Sequence, residues 1–137
     1  MERKLFTPSE ANELLPQLKE DLAILQTLVG QIENQYLELQ KIKTMSEKSS
    51  VRSASGEDPF FEIESKLDFM QIETELLINN FERRGVMLKM INPGLIDFPA
   101  VLNGEEILIC WREGEESVTH YHGWDDGFAG RKALPDA

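Results

Sequence analysis

Residues 85–112 read GVMLKMINPGLIDFPAVLNGEEILICWR, and the change of hydrophobic period within them decides the fold. Val86 to Ile91 is a short β-like run, Asn92-Pro93-Gly94 carries proline and glycine where a turn uses them, and Leu95 to Leu102 is a second run. Asn103-Gly104 is the strongest short hairpin signal, because both residue types accept positive φ, and it joins the second run to Glu105–Arg112. A two-residue turn there pairs Ala100 with Ile107, Phe98 with Ile109 and Ile96 with Trp111 on one apolar face. The reverse face, with Asp97, Pro99, Leu108, Cys110 and Arg112, is more mixed, so the first face is expected to pack on helices. Pro99 has no N–H to donate, which predicts an edge position or a bulge.

Upstream of Gly85 the period is helical. Thr7, Pro8 and Glu10 form a T-x-x-E start, after which Ala11, Leu15, Leu18, Leu22, Leu25, Val29, Ile32, Tyr36 and Leu39 alternate steps of four and three. This predicts a first helix over about residues 8–45, with a kink near residues 12–16 caused by Pro16. SEKSSVRSASGED, residues 46–58, reads as a flexible linker. Asp58 and Pro59 open a second helix over about residues 59–84, whose seam is Phe60, Ile63, Leu67, Met70, Thr74, Leu77 and Phe81. Arg83, Arg84 and Gly85 close it. The expected architecture is α+β in a single domain, a long antiparallel helical hairpin followed by a three- or four-stranded meander and a C-terminal tail over residues 86–137.

The chain has 137 residues and a net charge of -11, from 25 acidic and 14 basic side chains. That balance disfavours binding to nucleic acid or to an anionic membrane surface. No stretch has the length of a signal peptide or a membrane span, and the single Cys110 forms no internal disulfide, so a reducing cytoplasmic setting is expected.

The candidate chemistry gathers near the C-terminus. His120 and His122 lie two apart, so on a strand they share a face and can chelate Zn²⁺ or Fe²⁺ with a third ligand from Glu113, Asp125 or Asp126. A four-residue loop at Glu113–Glu116 opposes Ile109 to His120 and Ile107 to His122, which turns both rings toward the apolar face; one residue more or less reverses this. Hydrogen-bonded structural histidines are the plainer reading, and no cofactor is expected on this evidence. Trp111, Tyr121, Trp124 and Phe128 concentrate rings among Asp125, Asp126 and Arg131, a mixture suited to a ligand pocket or an interface, or to a tail packed over a sheet. Arg131 is expected to pair with Asp125 or Asp126 rather than with a ligand. Glu113, Glu115 and Glu116 read as solvation on an exposed turn, and Cys110 as a buried, inert thiol facing away from the histidines.

Several stretches resemble one family. LIDFPA (Leu95 to Ala100), ICWREGE (Ile109 to Glu115), YHGWDDGFAGRKAL (Tyr121 to Leu134) and FTPSEANELLP (Phe6 to Pro16) are similar to the signature of a bacterial family catalogued as domain of unknown function family 2203. The resemblance spans nearly the whole chain, places His122 but not His120 on a motif position, and implies no activity, since none is assigned to that family.

The best-specified feature is the extended helical surface. A non-enzymatic interaction or scaffold module therefore ranks first among functions, ahead of a metal- or small-ligand-dependent enzyme centred on His122. Apolar residues outside the seam of the first helix, Leu14, Leu28 and Ile42, further suggest a homodimer through the helices, or another protein partner.

Overall fold

The computed structural model describes residues 4–49 and 60–135. Two α-helices, α1 (Pro8–Ser49) and α2 (Phe61–Arg83), precede five strands: β1 (Met87–Met90), β2 (Leu95–Leu102), β3 (Glu105–Arg112), β4 (His120–Gly123) and β5 (Lys132–Ala133). The strands form one antiparallel sheet in chain order, so the fold is α+β. No helix among the described residues is long and apolar enough to cross a membrane.

The helical start is the predicted capping box. Glu10 N–H donates to Thr7 Oγ1 at 3.1 Å, and Thr7 N–H donates to Glu10 Oε1 at 3.2 Å. α1 then runs without interruption through Pro16, so the expected kink does not break the element. It also continues to Ser49, four residues into the segment expected to be a linker. The remainder of that segment, with the Asp58 and Pro59 start of the second helix, lies outside the described residues. α2 ends as anticipated, with Gly85 at φ 84°, and the Arg84 guanidinium, expected only to favour the helix dipole, pairs with Asp21 of α1.

The hairpin register is the one the sequence implies. Ala100 pairs with Ile107, Phe98 with Ile109 and Ile96 with Trp111, and Asn103 and Gly104 turn at φ 52° and 80°. These six side chains are buried with Ala11, Leu15, Leu18, Leu22 and Leu25 in one core, so the sheet packs on the first half of α1, where the C-terminal end of α2 also joins through Phe81. β1 leaves β2 after Asp97, and at Pro99 the strand is locally an edge whose carbonyl accepts from Phe6 N–H at 2.7 Å. Leu28 is buried and Leu14 packs on the core, so two of the three residues that suggested a helical dimer are covered within the chain. β5 exceeds the expected strand count, because Leu134 N–H donates to Thr119 O at 2.8 Å and folds the tail back beside β4.

Candidate metal centre

β4 lies one residue away from the register that would turn its histidines inward. Cys110 pairs with His120 and Leu108 with His122, because residues 113–119 make a longer connection than Glu113–Glu116 alone. The parity of the strand is thereby reversed, and both histidines share the face of Asp97, Leu108 and Cys110. The expectation that Cys110 faces away from them is overturned.

On that face three polar side chains from three adjacent strands converge out of solvent. Asp97 of β2 and Cys110 of β3 are each 2 % exposed, and His122 of β4 is 5 % exposed. One ligand atom from each lies within 4.8 Å of the others, the one such group of three among the described residues. His120, Glu113, Asp125 and Asp126 are outside it, so the side chains that converge here differ from the expected His120–His122 pair.

The hydrogen bonds define what this cluster can do. His122 Nδ1 lies 2.8 Å from Gly123 O, and a carbonyl only accepts, so Nδ1 carries the hydrogen. The other nitrogen, Nε2, sits 3.2 Å from Asp97 Oδ2. In a neutral ring that nitrogen presents a lone pair to a carboxylate, and the approach is favourable only with a cation between them, either a proton or a metal ion. A Cys-His-Asp relay needs one ring nitrogen on each partner, and here the second nitrogen is committed to the backbone. Burial first, and Asp97 next, push the Cys110 thiol up to about 12, so the unmetallated thiol is protonated and donates to Asp97 rather than serving as a nucleophile.

A cavity of about 310 Å³ opens beside the cluster, lined by Asp97, Cys110 and His122 together with Lys89, Trp124 and Asp125. Asp126 and Phe128 also border it, so five of the predicted ligand residues and tail rings, His122, Trp124, Asp125, Asp126 and Phe128, do meet. Trp111 and Glu113 do not. They line a second hollow between α1 and the connection before β4, where Trp111 Nε1 donates to Glu115 O at 2.8 Å. Glu113 Oε1 accepts from Gly94 N–H and from Gln26 Nε2, both at 2.7 Å, and these bonds, the backbone one first, hold its carboxyl below the usual range.

Arg131 pairs within the chain as expected, with a different partner. Its NH2 nitrogen donates to Glu115 Oε1 at 2.8 Å, to Oε2 at 3.0 Å and to Cys110 O at 3.2 Å, while the guanidinium lies 4.7 Å from the centre of the Phe128 ring. Glu115 is therefore a structural anchor rather than an exposed solvating group. His120 is more open, with Nδ1 2.8 Å from Thr119 Oγ1.

The residues missed from the sequence are Asp97 and Cys110. Their pairing follows from the Asn103-Gly104 turn, so an aspartate directly across from a cysteine inside two apolar runs was the available signal. Only the length of the β3–β4 connection was needed to add His122.

A family model described as an uncharacterized conserved protein, DUF2203, matches residues 4–134. No curated protein and no solved structure matches the chain.

Proposed function

Since the chain belongs to the DUF2203 family, whose description names no activity, we propose from the site itself that it is a divalent-metal-binding protein, with Asp97, Cys110 and His122 as ligands. The observation that carries this reading is the orientation of His122. Metal-ligating histidines commonly donate their other N–H to a carbonyl or carboxylate, which fixes the tautomer and ring angle, and Gly123 O fills that role here. The 3.2 Å between Nε2 and Asp97 Oδ2 matches the edge of a tetrahedron with bonds of roughly 2.0 Å, which spans about 3.3 Å. A thiolate, an imidazole and a carboxylate suit Zn²⁺ or Fe²⁺ better than Mg²⁺ or Ca²⁺, which prefer oxygen alone.

Three protein ligands leave a fourth position open, the arrangement of catalytic rather than structural zinc sites, and the cavity lined by Lys89, Trp124 and Asp125 adjoins it. We therefore rank a metal-dependent small-molecule site above the scaffold reading that the helices alone suggest. Binding must displace the Cys110 proton, so affinity rises with pH.

The test is elemental analysis of chain purified without an affinity tag, followed by cobalt substitution. About one metal per chain is expected, with a sulfur-to-cobalt charge-transfer band that disappears in Cys110→Ser and binding that disappears in His122→Ala. Metal-free protein that takes up neither Zn²⁺ nor Co²⁺ at micromolar concentration would overturn the assignment.

A further inference from the structure

α2 is apolar on two opposite faces, and only one of them is covered. Leu67, Met70 and Phe81 are buried toward α1. Phe61, Phe69, Ile72 and Leu76 are 67, 63, 54 and 54 % exposed, and at 3.6 residues per turn they fall within an arc of about 80° on the far side. Two phenylalanines and two branched aliphatics over four turns leave uncovered surface on the order of the 300–600 Å² that marks a functional patch on a monomer. The seam of the helix hairpin does not use them.

Acidic groups border this stripe on both sides. Glu62 and Glu73 flank one edge, and Asp68 and Glu75 flank the other, all exposed. Glu64, also on that second edge, is tied to Lys43 at 3.5 Å. Across α2 the six acidic residues Glu62, Glu64, Asp68, Glu73, Glu75 and Glu82 outnumber Lys66 and Arg83.

We propose that the outer face of α2 binds a basic amphipathic helix from a partner protein, with apolar residues at helical spacing between rows of Lys or Arg. The charge decides the occupant. A second copy of this chain would set acidic rows against acidic rows on molecules that each carry -11, whereas a cationic helix matches both the stripe and its borders. The inference is independent of the metal centre, since none of these residues lines that cavity.

The test uses the whole chain and a fluorescein-labelled synthetic helix of about 14 residues, with leucines on one face and lysines on the other, read by fluorescence anisotropy. Saturable binding is expected, weakened by about tenfold or more in the double variant Phe69→Ser/Ile72→Ser, whose far-ultraviolet circular dichroism stays unchanged because both side chains are exposed. A matched peptide with glutamate in place of lysine should lose about as much. Equal affinity in the double variant would overturn the proposal by reducing the interaction to unspecific charge attraction, and so would failure to bind the lysine peptide. Sedimentation showing a dimer that the same double variant abolishes would overturn it in favour of a second copy.

Discussion

His122 reaches Asp97 across the sheet with one nitrogen at 3.2 Å while its other nitrogen holds Gly123 O at 2.8 Å, so the two side chains are a buried pair with no spare partner on the ring. Removing Asp97 leaves Nε2 facing no partner, and removing His122 leaves Asp97 only the Cys110 thiol, in a site almost closed to water. In chelator-treated protein, Asp97→Ala and His122→Ala should each lower unfolding free energy by about 3 kcal/mol, whereas the apolar pair Asp97→Val/His122→Leu should recover most of that loss. Urea denaturation measures all three. A single change that shifts stability by less than about 1 kcal/mol would show that the pair is not electrostatically closed.

Cys110 gives the cluster an alkaline signature. Its folded value of about 12 lies above the thiol's ordinary value of 9.0, because burial and then Asp97 oppose the thiolate. Above pH 9.0 the unfolded chain gives up this proton and the metal-free folded chain keeps it, so the unfolded state gains. The contribution is complete below pH 9.0 and is lost as pH rises toward about 12. Urea midpoints taken from pH 8 to pH 10.5 should therefore fall more steeply in wild type than in Cys110→Ala. Parallel slopes would mean that the thiol titrates alike in both states.

How far the molecule was readable in its residues follows from which constraints are local. The capping box needs only Thr7 and Glu10, and the β2–β3 register needs only a two-residue turn, so both are legible by inspection. The β4 register depends on the connection over residues 113–119, where Glu115 accepts from Arg112 N–H at 2.7 Å and from Arg131, and Val118 N–H donates to Asn12 Oδ1 at 2.8 Å. Those partners lie as many as 106 positions away, and no local pattern counts the residues they hold. One residue of register then exchanges the faces, which is why His122 was recognisable as a candidate while Asp97 and Cys110 beside it were not. The outer stripe of α2 was hidden for another reason. The seam Leu67, Met70 and Phe81 already accounts for a helical period, and a second apolar face on the same helix reads as scatter until exposure separates the two.

Glu113 belongs to the other side of the sheet, and its acid behaviour tests that placement. Its carboxylate accepts from Gly94 N–H in the turn after β1 and from Gln26 of α1, while its own N–H donates to Gly94 O at 2.8 Å. One side chain thus ties the β3–β4 connection, the first β-turn and the first helix together. Both side-chain bonds favour the ionised form and depress its folded value below 4.5. The unfolded chain consequently binds this proton first as pH falls, so the stabilisation is present above pH 4.5 and disappears as pH drops through the lowered folded value. Glu113→Ala should lower the thermal midpoint at pH 7, and the gap to wild type should narrow steadily once the pH passes below 4.5. Glu113→Gln, which keeps an acceptor oxygen without the charge, should fall between the two at pH 7. A gap that stays constant from pH 7 to pH 3 would assign the effect to lost packing, and would remove the carboxylate from its place between Gly94 and Gln26.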